Sequence, residues 1–340
     1  RGASPWIATA EVNNQGPSQP NPWRVQAVLA NGNLFDLGQI LSVSFTTAPS
    51  AFKDVRQYGI FYTVPWYEQG VSFNAYGFKS TSRTGAVDGL ITVSGVGQFF
   101  GFSMKQRILT LGPWTPSWTL ALDDKRFDNS SSVQGQIIGS PVRSRPLSLG
   151  AALAWDGVAA HAGVGAQLVD NMPGGADNGD SAYQAVRGQA HRSWQALRLN
   201  TEGSGRLSWG DAWIVRGSAQ FSNDALISGE QFGLGGPDSI RALEPRQLNG
   251  DRGWSMSAEY WSRELQPGLR ALGFVDAGRV YDTHAAGAPS PGAAAAGVGA
   301  RWTLNNYLSV SADWGHVVRG IGGVDGHGQR VYASFDFRMH

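Results

Sequence analysis

The chain has 340 residues, with 27 basic and 26 acidic side chains, a formal net charge of +1 and no cysteine. Charged residues make up 16%, below the roughly 25% of soluble globular domains, while glycine (46) and tryptophan (13) are frequent. This balance gives no support to a nucleic-acid partner, excludes disulfides and thiolate metal sites, and is compatible with an oxidising periplasm.

No apolar run reaches the about 18 residues that a membrane helix needs; Gly292–Ala300 is short and made of alanine, glycine and one valine. The dominant pattern is alternation of apolar and polar residues, without a long run of 3.6-residue periodicity. It predicts strands near 5–13, 22–31, 38–48, 54–64, 70–81, 91–108, 115–127, 145–156, 159–170, 191–202, 206–222, 253–265, 269–281, 293–304, 306–316 and 329–339. In the third, Leu41, Val43 and Phe45 alternate with Ser42, Ser44 and Thr46. Near the end, Leu308, Val310, Ala312 and Trp314 alternate with Ser309, Ser311 and Asp313, and Val331, Ala333, Phe335 and Phe337 with Tyr332, Ser334 and Asp336. Successive side chains of an extended chain point to opposite faces, so each segment has one apolar and one polar face.

Connections alternate in character. Asn31-Gly32 and Pro65 to Gly70 read as tight turns, whereas Met172–Gln189, Asp282–Gly292 and Val317–Gln329 read as long polar loops. Aromatics gather near segment ends (Trp6, Trp23, Trp66, Tyr67, Trp114, Trp118), where a headgroup girdle would place them. About sixteen strands with short turns on one side and long loops on the other describe an all-β, transmembrane antiparallel β-barrel. A soluble sandwich or propeller shares the alternation, but there is no blade-length repeat; AGVGA occurs only twice, at Ala162–Ala166 and Ala296–Ala300.

One connection departs from this pattern. Glu230–Trp254 reads EQFGLGGPDSIRALEPRQLNGDRGW, too long and particular for a hairpin turn. Phe232 leads into Gly233, Gly235 and Gly236, and Arg241 follows between Ile240 and Leu243. On the next two strands, alternation puts Glu259 with Ser255 and Ser257 on a polar face, and Asp276 with Leu272, Phe274 and Gly278 on one face. An aspartate does not face lipid cheaply, so both acids are expected to face the lumen, where the planar guanidinium of Arg241 could bridge them. A loop arginine alone is ordinarily just solvated. The glycine–aromatic lead-in, the arginine and two acids on successive strands together raise the bridging reading.

These features resemble the outer-membrane transporters of two-partner secretion, the haemolysin and adhesin secretion-activation family, within the superfamily of assembly and secretion barrels with POTRA domains. Phe274, Asp276 and Gly278 are similar to that family's aromatic–acid–glycine strand signature, and the segments Ala10–Gly16, Leu34–Phe45 and Tyr58–Trp66 look like its opening hairpins. The resemblance implies that the loop, residues 224–252, folds into the lumen as a latch with Arg241 on Asp276 and Glu259. It departs where the family usually has a glycine and then an aromatic after the arginine, since Ala242 and Leu243 stand there, and at the last residue, His340, in place of a terminal aromatic. Family members carry POTRA domains before the barrel. The chain starts at Arg1 without a signal segment, so residues 1–340 read as a single barrel domain of a mature or trimmed chain.

The implied function is a protein-conducting pore in the Gram-negative outer membrane that exports a large exoprotein, an adhesin or haemolysin, without cofactor or metal. The implied partners are that exoprotein, outer-membrane lipids and lipopolysaccharide, and the barrel-assembly machinery, with the barrel a monomer. A passive diffusion porin and an outer-membrane lipase or protease are the alternatives. Other chemistry is thin. The histidines (His161, His191, His284, His316, His327, His340) lack metal-ligand spacing. Asp123 and Asp124 beside Lys125 and Arg126 read as a charged lumen or loop, and 177–180 as surface. GLGG at Gly233–Gly236 lacks the surrounding strand–turn–helix of a nucleotide site, and no nucleophile elbow is present.

Overall fold

The computed structural model describes residues 4–19, 21–81, 85–87, 91–93, 97–128, 131–133, 136–138, 140–207, 209–284, 287 and 289–339. Sixteen of its strands form one antiparallel sheet closed on itself. In chain order they are β1 (Trp6–Asn13), β2 (Arg24–Leu34), β3 (Gln39–Thr47), β4 (Arg56–Trp66), β5 (Val71–Ser80), β6 (Gly97–Arg107), β7 (Trp114–Asp128), β8 (Pro141–Ser144 and Pro146–Asp156), β9 (Ala160–Asn171), β10 (Gln195–Arg206), β11 (Ala212–Phe221), β12 (Arg252–Trp261), β13 (Leu269–Tyr281), β14 (Gly292–Thr303), β15 (Leu308–Ile321) and β16 (Gln329–Met339). Each pairs with its sequence neighbours, and β1 closes onto β16 from Ala8↔Met339 to Asn13↔Ser334. Closure leaves no strand edge, the condition for backbone groups to be satisfied in lipid. Among the described residues no helix is long and apolar enough to cross a membrane.

The outward face is apolar and exposed, as at Ile60, Leu149, Leu168, Val275, Val298 and Val331. The inward face is polar or small, with Asn13, Thr46, Gln57, Ser148, Gln220, Ser255 and Asp313 buried on it. On β13 Val275 is 57% exposed and its neighbour Asp276 1%, so adjacent residues sit in opposite environments. Connections at one end are short (35–38, 67–70, 157–159, 304–307), and those at the other are long (172–194, 222–251, 282–291). Exposed Trp6, Trp66, Tyr67, Trp114 and Tyr307 rim the short-turn end, while Trp23 lies at the long-loop end. Trp118 instead lies inside β7 and donates its Nε1–H to Gln106.

Several boundaries differ from the sequence reading. Asn31-Gly32 is not the turn: β2 continues to Leu34, held by Asn31↔Trp6 and by the Gly32 N–H on the Pro5 carbonyl, and the chain turns at 35–38 with Phe35, Asp36 and Gly38 at positive φ. The predicted loop 317–329 is shorter because β15 runs to Ile321 through a bulge opposite Ala294/Ala295. There Val318 is the extra residue between the partners Val317 and Arg319, and Val318 and Arg319 are both exposed, which breaks the two-residue period. The strand expected over 91–108 is β6 from Gly97; Ile91–Val93 instead pairs with Gly85–Val87, and residues 94–96 of that expectation lie outside the described residues. The loop 172–194 contains a helix, Asp180–Val186, whose Tyr183 packs with Trp194, Val142, Val169, Leu226 and Ile227.

Candidate functional site

The connection from β11 to β12 is the longest, and it is built as a compact substructure. Phe232–Leu234 pairs with Leu248–Gly250 to form a short ribbon. Between the two, the chain reverses through Gly235 (φ 109°) and Gly236 (φ 104°), a conformation that glycine adopts without strain. A Cβ on Gly235 would also lie 2.0 Å from the Glu244 carbonyl oxygen. Ser239 caps this turn by accepting the Gly235 N–H at 2.8 Å.

Leu234, Ile240, Ala242 and Leu243 pack against Val280 of β13, Ala293 and Ala295 of β14 and Val317 of β15. These wall residues share the faces of Asp276 and Asp313, turned away from the exposed apolar surface. The wall is pared down where the segment touches it. A Cβ on Gly278 would meet Leu234 Cδ2 at 2.9 Å, and one on Gly315 would meet the Arg241 and Ala242 backbone at 3.0 Å.

Arg241 is 2% exposed and ends on this wall. Its Nε and Nη2 donate to the two oxygens of Asp276 at 2.9 and 2.8 Å, a bidentate pair, and its backbone N–H donates to Asp276 Oδ2 at 3.1 Å. Nη1 donates to Glu259 Oε1 at 2.8 Å and Nη2 to Ser257 Oγ at 3.0 Å. The guanidinium carbon lies 3.4 Å from the centroid of the Phe274 ring, stacked on its face. Phe274 therefore forms a platform, Asp276 and Glu259 the two anionic walls, and Gly278 the clearance for the neighbouring Leu234. Glu259 is further oriented by the Trp261 Nε1–H at 2.7 Å.

Two more anchors hold the same segment, and both were missed in the sequence. Glu230 is fully buried and accepts from Ser144 Oγ at 2.9 Å, Arg198 Nη2 at 3.0 Å and Lys125 Nζ, whose closest approach is 3.2 Å. Burial pushes its carboxyl upward, but Lys125 and Arg198 outweigh that and hold it below the usual carboxylate value. Asp251 accepts the Leu226 and Thr283 N–H groups at 2.9 Å each and pairs with Arg187 just after the helix. Here too burial acts upward, and Arg187 together with the Leu226 and Thr283 N–H groups more than offsets it. Tyr332 of β16 donates to the Leu243 carbonyl at 2.7 Å, and Arg330 pairs with Glu244 at 3.0 Å. These partners lie up to about a hundred residues away in sequence, and no local pattern marks them. The one local hint was the lone acid Glu230 at the start of the unusual segment.

Beyond the segment a cavity of about 660 Å³ remains, lined by Glu11, Arg24, Gln57 and Lys125 of the wall and by Gln231, Asp238 and Arg246 of the segment. Asp123 accepts from Tyr76 at 2.8 Å and Asp124 pairs with Arg143, so the adjacent acids do not form an acid–base pair. His161 contacts Asp156 and Glu202, and no metal-ligand cluster occurs among the described residues. His340 lies outside them.

A closed barrel of this size, apolar outside and polar inside, is an outer-membrane protein, and its connections and aromatic rim match that class. Within that class, the chain belongs to the haemolysin secretion/activation protein ShlB/FhaC/HecB family, whose model matches residues 1–302. The barrel is of the Gram-negative outer-membrane type, and the family match does not favour a diffusion porin. No curated protein matches the sequence. CdiB from Escherichia coli superposes with a TM-score of 0.82 at 17% identity, covering 100% of this chain and 64% of that one. CdiB from Acinetobacter baumannii gives 0.74 at 16%, covering 100% and 61%. BamA from Haemophilus ducreyi lacking POTRA domains 1–3 gives 0.62 at 14%, covering 100% and 71%. At these identities the likeness is one of fold, and the chain spans less than two thirds of either CdiB.

Proposed function

We propose that this barrel conducts an unfolded exoprotein from the periplasm to the cell surface by two-partner secretion, with segment 224–252 serving as a latch inside the lumen. The observation that carries the reading is the bidentate Arg241–Asp276 pair extended to Glu259 on a strand face that looks away from lipid. A desolvated ion pair held in one geometry specifies position more than it adds stability. It suits a segment that must sit in one place and then leave it. The short-turn end faces the periplasm and receives the substrate, and the long loops face outward. Transport of this kind is passive conduction, and none of its steps calls for a catalytic residue, nucleotide or metal.

The partners on this reading are the exoprotein, a periplasmic POTRA module that presents it, the barrel-assembly machinery, and outer-membrane lipids and lipopolysaccharide around a monomeric barrel. The test is secretion of the exoprotein by cells expressing the barrel with its POTRA module. Arg241→Ala is expected to abolish secretion while the barrel stays inserted and heat-modifiable on gels. Normal secretion by that variant would remove the latch from the mechanism.

A further inference from the structure

Glu259 differs from Asp276 in having a second cation. Arg216 of β11 reaches the same Oε1 that Arg241 holds, at 3.4 Å against 2.8 Å. The two guanidinium groups differ in surroundings: the Arg241 side chain is 3% exposed and that of Arg216 56%. Arg216 shares its strand face with Ser218, which contacts Ser255, and with Gln220, which donates to the Glu230 carbonyl, so it belongs to the inward wall. The other cation close by, Arg301, is committed to a bidentate pair with Asp313 at 2.7 and 2.8 Å and lies 5.5 Å from the Trp261 ring. Among the described residues no second cation lies within salt-bridge distance of Asp276.

We propose that Arg216 is a positioning residue that takes over Glu259 when Arg241 withdraws, so that release of the segment does not strand that carboxylate. With Arg241 docked, Arg216 competes for one oxygen and repels the guanidinium beside it. With Arg241 gone, Arg216 becomes, among the described residues, the sole cation on a carboxylate that only Trp261 otherwise hydrogen-bonds. A buried carboxylate without a partner is costly, so both effects favour the released state. Asp276 is then the holding side of the latch and Glu259 the releasing side. The inference rests on the latch reading above and gives its second acid a separate role.

The sign of the effect separates this role from a structural one. A residue that merely braces the wall loosens the segment when removed, whereas a stand-in cation tightens it. The chain has no cysteine, so Ala242→Cys, at a buried position beside Arg241, provides a single thiol. In the purified full chain this thiol reacts with a maleimide only when the segment lifts. Arg216→Gln in that background is expected to slow labelling by about threefold, the scale of an exposed pair, and Arg216→Lys to restore it. The frequency of large openings in planar bilayers, read without the thiol, should fall in the same variant. Labelling or opening as fast as in the parent, or faster, overturns the proposal. The proposed secretion can fail on its own, because labelling reads segment release whether or not an exoprotein is exported. Conversely, if Arg241→Ala abolishes secretion while Arg216→Gln changes neither rate, only this inference falls.

Discussion

Arg241→Ala is the perturbation with the largest expected consequence. It deletes the bidentate pair with Asp276, the bond to Glu259, the bond to Ser257 and the stacking on Phe274, and it leaves two acids facing the vacated space. Breaking a buried pair by removing one member costs roughly 3–5 kcal/mol. The lumen admits water to the vacated site and Arg216 stays on Glu259, so the low end applies, about 3 kcal/mol. At about 1.4 kcal/mol per tenfold, the docked population should fall on the order of 100-fold relative to the released one. Hydrogen exchange of the amides of 224–252 in detergent measures this, with the β13 and β14 amides as internal controls. The expected result is fast exchange across the segment and unchanged protection in the strands. Exchange of the segment within about threefold of the parent would show that Glu230, Asp251 and apolar packing hold it, and the ion-pair argument would be refuted.

Asp276→Asn should loosen the segment more than Glu259→Gln, because Asp276 provides three of the Arg241 contacts; exchange rates of the two variants compare them directly. Gly315→Val puts side-chain atoms against the Arg241 and Ala242 backbone and should displace the segment at a cost of about 1–3 kcal/mol, seen as faster exchange with an intact barrel. Tyr332→Phe removes the bond to the Leu243 carbonyl and should cost about 1 kcal/mol by the same measure. Glu230 and Asp251 have carboxyls held below their ordinary values, so their contribution is present at neutral pH and lost as pH falls through those lowered values. Tryptophan fluorescence of the folded barrel should therefore report a transition below about pH 4, and Glu230→Gln with Asp251→Asn should diminish it.

The wall was legible in the sequence because a barrel strand has one lipid face and one wet face, and that contrast survives in every second residue. Residues 269–281 and 329–339 form strands with the expected limits, and Glu259 and Asp276 fall on the expected faces. Legibility ended where a partner strand, not the local pattern, decides. Asn31-Gly32 carries a strong turn signal, yet pairing with Trp6 and Pro5 keeps it extended. The bulge at Val318 shifts the period by one and hides the last residues of β15 from an alternation count. The helix Asp180–Val186 is seven residues long, too short for a 3.6 period to stand out. At the candidate site, Arg241 was visible through its glycines and its acids on successive strands. The Glu230 cluster was not, because Lys125, Ser144 and Arg198 come together only when the barrel closes.

Gly278 and Gly315 have a last consequence. A lining with bulky residues would swing them into any gap left by a departing segment and narrow the bore again. Bare backbone has nothing to swing, and the sheet's hydrogen bonds keep it from sagging. On the proposed latch reading, lifting Leu234 and Arg241 off would leave no side chain at these two positions to fill the space.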